Sequence, residues 1–332
     1  MIAQLSKAYL KNRWWKLWAR LVSYFLYEGR PLTTKGQWFN PLTKAWMKLM
    51  LLFPLSKKIV KPIFIVGTGR SGSTILGLVL SQHRQVGFMN EPKLLWHLVH
   101  PDEDVIGSYS RADAKYKLGE TDATEERILK AKKLFGSFMR WSGSKRVADK
   151  YPEMIFRIPF LLKIFPDAKI IFLYRSGNES CASTALWSER EGGEKESETH
   201  DWWGANNRKY KLLCEQLVKN DEALSPLFAS ISNFSKQEDM AAVEWILSMK
   251  EGMKWMKKLP SQVFGLRYED LSSNPDQALH DLIQKCELPS DEKFIRYAQS
   301  VLKPAWRHTA IELNESIRPV FEKTMSDLGY FD

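Results

Sequence analysis

Five short apolar runs, separated by longer segments of helical period, dominate the chain after residue 61. They lie at residues 63–66, 86–89, 146–148, 169–174 and 263–268. Strands that alternate with helices in this way pair in parallel, and the helices cover both faces of the sheet. The pattern predicts a three-layer α/β fold with a mainly parallel central sheet. The polar run at residues 189–199 is predicted to be an exposed loop.

Residues 1–61 follow a different pattern. They hold five of the 13 tryptophans and contain two basic, aromatic stretches of helical period, 10–28 and 41–53. Glycine and proline residues separate and end these stretches. We therefore predict a helical appendage over residues 1–61 and one large domain over residues 62–332.

The first of the two predicted helices is amphipathic. On a helical wheel its bases Arg13, Lys16 and Arg20 gather on one face. The opposite face carries Trp14, Trp15, Leu17, Trp18, Leu21, Val22, Phe25 and Leu26. Tryptophans opposite bases are typical of a helix at a membrane interface, so we predict that residues 1–61 bind an anionic membrane surface. Packing of the apolar face onto the domain is the alternative.

Positive charge is concentrated in the same segment. Residues 1–61 contain 12 Lys and Arg but one acid, Glu28, whereas the rest of the chain has 37 bases and 38 acids. A nearly neutral domain argues against a nucleic-acid partner. The three cysteines have no metal-ligand or disulfide spacing, and no apolar run is long enough to span a bilayer. We therefore predict a cytoplasmic protein, peripheral on the membrane.

A glycine-rich turn joins the first predicted strand to a helix. It reads Gly-Thr-Gly-Arg-Ser-Gly-Ser-Thr over residues 67–74. The backbone N–H groups of such a turn, with the positive end of the helix, can hold a phosphate; a tight turn without a ligand is the alternative. A nucleoside triphosphatase loop would carry lysine where Ser73 stands, and here the base is Arg70, three residues earlier.

A second candidate anion site follows the run at residues 169–174. Arg175 comes directly after this predicted strand, and Ser183 lies eight residues further along the next helix, for which Asn178 is the predicted N-cap. The two side chains can converge on one small anion. Taken alone, an arginine in this position is more often solvated or salt-bridged.

The two motifs, in this order, resemble the superfamily of sulfotransferases that use 3′-phosphoadenosine 5′-phosphosulfate (PAPS), with its P-loop-like fold. The resemblance covers about residues 62–332 and is closest in pattern to bacterial and tyrosylprotein-type members. It includes Tyr268-Glu-Asp270, the segment Leu302-Lys-Pro304 and Trp306. It implies that the 5′-phosphosulfate is held by Arg70, Ser71, Gly72, Ser73 and Thr74. It further implies that Arg175 and Ser183 hold the 3′-phosphate and that Lys303 contacts the cofactor.

Sulfuryl transfer requires a base for the acceptor hydroxyl and cations at the leaving oxygen. The resemblance implies Glu91 as the base and Arg70 and Lys150 as the catalytic cations. A structural role for Glu91 at a helix start is the alternative. His97 and His100 are the rival bases, although their apolar helical surroundings favour a structural role. Fixed cations can do the work of magnesium, so no metal is expected.

The sequence thus predicts transfer of a sulfuryl group from PAPS to an acceptor hydroxyl, with release of adenosine 3′,5′-bisphosphate (PAP). The acceptor is lipid-linked, a glycan or a small molecule, in a pocket built by residues 97–145 and 186–235. A P-loop kinase or NTPase is the alternative enzyme, disfavoured by Ser73. A non-catalytic membrane-associated scaffold is the third hypothesis.

Overall fold

The computed structural model describes Tyr9 and residues 12–32, 34–195, 198–304 and 310–330; Trp306 lies outside this part of the chain. Its strands are β1 (Ile63–Gly67), β2 (Val86–Asn90), β3 (Arg146–Lys150), β4 (Lys169–Tyr174), β5 (Gly193–Lys195), β6 (Glu198–Asp201), β7 (Gly204–Ala205) and β8 (Val263–Arg267). Five of them form a parallel sheet in the order β2-β3-β1-β4-β8. These are the five predicted apolar runs, so the parallel α/β sheet is confirmed.

Helices pack on both faces of this sheet. The α-helices in the described part of the chain are α1 (Trp15–Leu26), α2 (Asn40–Leu52), α3 (Ser73–Ser81), α4 (Lys93–Val99), α5 (Glu125–Trp141), α6 (Ile158–Ile164), α7 (Gly177–Glu191), α8 (Arg208–Gln216), α9 (Phe228–Ile231), α10 (Gln237–Lys258), α11 (Tyr268–Ser273), α12 (Pro275–Lys285), α13 (Glu292–Val301) and α14 (Arg318–Asp327). None of the described helices is both long and apolar enough to cross a membrane.

Side chains of the central strand alternate between two cores. In β1, Phe64 and Val66 pack into the core that includes α4, α5, α6 and α10. Ile63 and Ile65 point the other way, into the core that includes α3, α12 and α13. This period of two follows from strand geometry, and burial on both faces explains why β1 is apolar throughout.

The N-terminal helices were predicted at residues 10–28 and 41–53, and the structure has α1 and α2 there. The structure differs from both predictions for α1, because the bases of this helix face the protein and its tryptophans face outward. Lys16 and Arg20 are buried, each 2% exposed, whereas Trp14 and Trp18 are 73% and 56% exposed. The alternative that the apolar face packs on the domain holds only in part, because Val22 is buried in the core while the tryptophans are exposed. Lys16 and Arg20 are not available to a membrane.

The inward bases of α1 cover the edge of the central sheet. β2 is an edge strand, so its outer backbone groups have no neighbouring strand. Lys16 Nζ donates to the carbonyl of Val86 over 2.6 Å, and the N–H of Asn90 donates to the Glu28 carboxylate over 2.7 Å. Arg20 pairs with Glu28. The helix therefore satisfies polar groups that β2 leaves unpaired.

Two local predictions were wrong. The described residues of the run at 189–199 belong largely to regular elements, because α7 extends to Glu191 and β5 and β6 follow, pairing with β7 in a small antiparallel sheet. Asn178 is not the N-cap of α7, since the helix already begins at Gly177 and Ser176 precedes it. The N–H of Ser176 donates to Glu269 over 3.0 Å, and this long-range contact fixes where the helix starts.

Candidate active site

The glycine-rich turn lies between β1 and the N-terminus of α3, as predicted. Arg70 and Gly72 adopt positive φ values of 64° and 89°, which turn the chain sharply into the helix. The Ser71 hydroxyl donates to the carbonyl of Thr68 over 2.7 Å and closes the turn. A side chain at Gly72 would meet the ring of Tyr268 at 2.3 Å, so glycine is required there. Ser73 and Thr74 form the first turn of α3.

The second candidate anion site lies against the first. The Arg70 Nε donates to the Ser183 hydroxyl over 3.1 Å. The Arg175 guanidinium stands 4.9 Å from the centre of the Tyr268 ring, the same ring that packs against Gly72. Arg175 also forms a 3.1 Å ion pair with Glu179. The structure thus brings together the predicted residues of both sites.

Cations crowd around this turn. Partial desolvation, together with the nearby guanidinium groups of Arg190 and Arg175, lowers the pKa of Arg70 below its ordinary value. Mutual repulsion of this kind is relieved when an anion binds between the cations. The electrostatics of the turn therefore favour a phosphate or sulfate ligand.

Glu91 and Lys150 meet because β2 and β3 are parallel neighbours with Asn90 opposite Lys150. The N–H of Glu91 donates to the carbonyl of Lys150 over 2.7 Å, and Glu91 has a positive φ of 50°. Its carboxylate forms an ion pair with Lys150 Nζ and lies 3.6 Å from Lys93 Nζ. Desolvation alone would raise the pKa of Glu91, but the two lysines outweigh it and hold the pKa below its ordinary value.

A chain of alternating charges continues inward from Glu91. Lys93 Nζ lies 3.9 Å from Glu153, and Glu153 lies 3.1 Å from Lys209 Nζ. Lys209 in turn lies 2.7 Å from Glu244. Lys93, Glu153, Lys209 and Glu244 are all buried, and each charge has an opposite neighbour, as burial requires.

This chain ends beside the glycine-rich turn. The Trp202 indole N–H donates to Glu244 over 3.0 Å, and a side chain at Gly69 would meet the Trp202 ring at 2.2 Å. Sequence reasoning missed these residues. Lys93 and Glu153 stand two and three positions after Glu91 and Lys150, and that proximity was an available signal. No local pattern pointed to Lys209, Glu244 or Trp202.

One cavity of about 190 Å³ joins the glycine-rich turn to the carboxylate of Glu91. Its wall includes Gly69, Arg70, Ser73 and Thr74 on one side and Glu91, Lys93, Lys150 and Glu153 on another. Trp187 and Trp202 also line it, as do Pro31 and Thr34 from the connection between α1 and α2. Arg175, Ser183 and Lys303 do not line this cavity; Lys303 is exposed after α13.

The rival histidines lie elsewhere. His97 and His100 are buried, and neither lines the cavity. Burial lowers the pKa of both below the ordinary histidine value. Within the described part of the chain, no three His, Cys, Asp or Glu side chains are grouped so that they could hold a metal ion.

Comparison with known proteins agrees with the fold. Residues 62–224 match the family model described as "Sulfotransferase family". Sulfotransferase STF9 from Mycobacterium avium superposes with a TM-score of 0.51 at 14% identity, over 89% of this chain and 83% of that chain. STF1 from Mycobacterium tuberculosis H37Rv superposes with a TM-score of 0.48 at 13% identity, over 99% and 94%. The family-model match covers just under half of the chain, and it confirms the predicted resemblance to the sulfotransferase superfamily.

A curated relative extends the comparison to a much longer protein. An uncharacterized protein of Aquifex aeolicus (strain VF5) is 20% identical over 241 residues. The alignment covers 71% of this chain and 27% of that protein, so the chain spans little more than a quarter of the relative's length.

Proposed function

We propose that the protein transfers a sulfuryl group from PAPS to an acceptor hydroxyl and releases PAP. One observation carries this proposal: a single cavity is lined both by the turn at 67–74 and by the Glu91–Lys150 pair. An anion site and a positioned acid–base pair within one cavity are what transfer of a charged group to a hydroxyl requires. The match of residues 62–224 to the sulfotransferase family model supports the same class of reaction.

The residues of the turn fit the 5′-phosphosulfate of PAPS. The N-terminus of α3 presents backbone N–H groups at Ser73 and Thr74, and Arg70 adds a cation at the tip. Arg175 and Ser183, which reach the turn through Tyr268 and Arg70, are proposed to hold the 3′-phosphate. The exposed Lys303 is proposed as a further contact to the nucleotide.

PAPS supplies an activated sulfuryl group whose departure leaves negative charge on a phosphate oxygen. Lys150 and Arg70 are proposed to neutralise that charge, since both line the cavity. Glu91 is proposed to accept the proton of the acceptor hydroxyl as the new oxygen–sulfur bond forms. The neighbouring lysines hold its pKa below the ordinary value, so Glu91 is ionised at neutral pH.

The acceptor enters beside the connection between the two N-terminal helices. Pro31 and Thr34 of this connection line the same cavity as the glycine-rich turn. We therefore propose a membrane-proximal or lipid-linked acceptor, because the same segment carries the exposed tryptophans of α1.

Thermal unfolding with different nucleotides tests the proposed donor. A ligand at 100 times its Kd stabilises the folded state by about 2.7 kcal/mol. We expect PAP to raise the Tm by the corresponding amount, and adenosine 5′-monophosphate to raise it much less at the same concentration. Stabilisation by ATP with magnesium, and not by PAP, would instead favour a P-loop kinase or NTPase. No response to any nucleotide would favour the non-catalytic scaffold.

A further inference from the structure

An exposed aromatic and apolar surface covers the outer side of the N-terminal helices. We call it the tryptophan face. Its most exposed members are Trp14, Trp38 and Leu52, at 73%, 77% and 80%. The other members are Trp15, Trp18, Phe25, Leu42, Leu49, Phe53, Leu55 and Trp141. Large apolar side chains gathered on one side of a protein mark a surface for binding rather than ordinary exposure.

Direct contacts make much of this surface continuous. The Trp18 indole N–H donates to the carbonyl of Trp141 over 2.9 Å, and the Trp141 ring lies 5.2 Å from that of Trp46. Trp46 and Trp141 line an apolar cavity of about 500 Å³ together with Leu49, Met50, Phe53 and Leu55. The cavity therefore opens within the tryptophan face, between α2 and α5.

Spacing along the helices places these side chains outward. Trp14, Trp18 and Phe25 recur on one face of the α1 segment. Leu42, Leu49 and Leu52 recur in the same way on α2. Neither stripe is covered by another described element, since every one of these six side chains is at least 38% exposed.

The exposed charge around the face is positive. Glu28 is the one acid within residues 1–61, and it is buried beside Arg20. Lys44 and Lys48 are exposed on α2, next to the leucine stripe, and Arg140 is exposed beside Trp141 on α5. Because the bases of α1 point into the protein, the positive charge that remains available comes from α2 and α5.

We propose that the tryptophan face docks on the surface of an anionic lipid bilayer. Indole rings suit the headgroup level of a membrane, and lysines beside them suit acidic headgroups. A second copy of the chain fits poorly, because Lys44 and Lys48 would approach cations with no exposed acid from residues 1–61 to neutralise them. The docking does not depend on sulfuryl transfer. It would bring the candidate active-site cavity, which Pro31 and Thr34 line, close to the bilayer.

Removal of residues 1–61 cannot test this proposal, because α1 covers the edge of β2 and its loss would damage the fold. The test uses the full chain with Trp14→Ala, Trp38→Ala and Leu52→Ala combined. We expect the wild-type chain to sediment with vesicles of phosphatidylcholine and phosphatidylglycerol. The triple variant should lose more than about tenfold in partition coefficient, since apolar burial supplies the attachment. Leu186→Ala, at a leucine on α7 that is 56% exposed, should bind like the wild type.

Charge-reversal variants test whether the exposed lysines of α2 contribute to binding of anionic vesicles. Lys44→Glu with Lys48→Glu should weaken binding to the anionic vesicles by about tenfold or more, and high salt should do the same. Lys163→Glu with Lys293→Glu makes the same charge change at exposed lysines of α6 and α13 and should have much less effect.

The proposal is overturned if the wild-type chain stays in the supernatant with every vesicle, or if the triple variant still binds. Light scattering that shows a dimer lost in the triple variant, without vesicle binding, would assign the face to a second copy instead. Stabilisation by PAP, measured on the same variants, shows that they are folded. It also separates a failure of membrane docking from a failure of the proposed nucleotide site.

Discussion

Two of the regions in which this protein buries cations show how neighbouring groups give such cations different roles. Around Glu91, Lys150 and Lys93 line a cavity that also reaches the glycine-rich turn. In α1, Lys16 and Arg20 point into the protein and, with Glu28, cover the edge of β2. Both groups are almost fully removed from water and both face carboxylate or carbonyl oxygen. The first group borders space for a ligand, whereas the second satisfies backbone groups that would otherwise be unpaired.

The difference shows that the residue type alone does not assign a function to a buried base. A base at the carboxyl end of a parallel strand, such as Lys150, faces the edge where ligands bind in α/β sheets. A base beside an edge strand, such as Lys16, replaces the missing strand. Substitutions in the two regions should therefore have separable effects, on activity in one and on stability in the other.

The largest effect is expected for Glu91→Gln. The amide keeps the shape of the side chain but cannot take up the acceptor proton, so turnover should fall by about 10² to 10⁴. Affinity for PAP, measured by calorimetry, should change little. Glu287→Gln is the matched control, because Glu287 also pairs with two lysines, Lys61 and Lys169, but on the exposed surface. Near-normal turnover of the Glu91 variant would exclude it as the base.

A loss of stability is expected for Arg20→Met. The substitution leaves the Glu28 carboxylate buried without its cation, and breaking a buried pair in this way costs about 3 to 5 kcal/mol. The free energy of unfolding in urea measures it. Arg190→Met, at a side chain that is 76% exposed, should change stability by less than about 1 kcal/mol. PAP affinity of the folded Arg20 variant should match that of the wild type; a selective loss of PAP binding would contradict the purely structural role.

A smaller and more selective effect is expected for Arg175→Ala. Loss of a charge-assisted contact to the 3′-phosphate should weaken PAP binding by about 2 to 5 kcal/mol, towards the lower end because Glu179 already shares the guanidinium. Adenosine 5′-monophosphate, which lacks that phosphate, should bind almost unchanged. Equal losses for both nucleotides in calorimetry would show that Arg175 does not contact the 3′-phosphate.

Local sequence patterns were sufficient for the sheet and for part of the candidate site. The apolar runs marked all five parallel strands, because a strand buried on both faces must be apolar along its length. The succession of a strand, a glycine-rich turn and a helix identified residues 67–74 as part of the candidate site. Arg175 and Glu91 could be placed because both come directly after strands, and parallel strands end at the same edge of the sheet. Their roles in catalysis and binding stay predictions.

Only the tertiary structure decided which way α1 faces and what surrounds Glu91. A helical wheel separates bases from tryptophans but does not show which face meets the protein. Here the bases face the protein, because the unpaired edge of β2 has backbone groups that need polar partners. Lys209 and Glu153 lie far apart in sequence, and Trp202 reaches Gly69 across more than 130 residues. Sequence periodicity reports neighbours along one element. Contacts between distant elements depend on how those elements pack, and packing is a property of the whole fold.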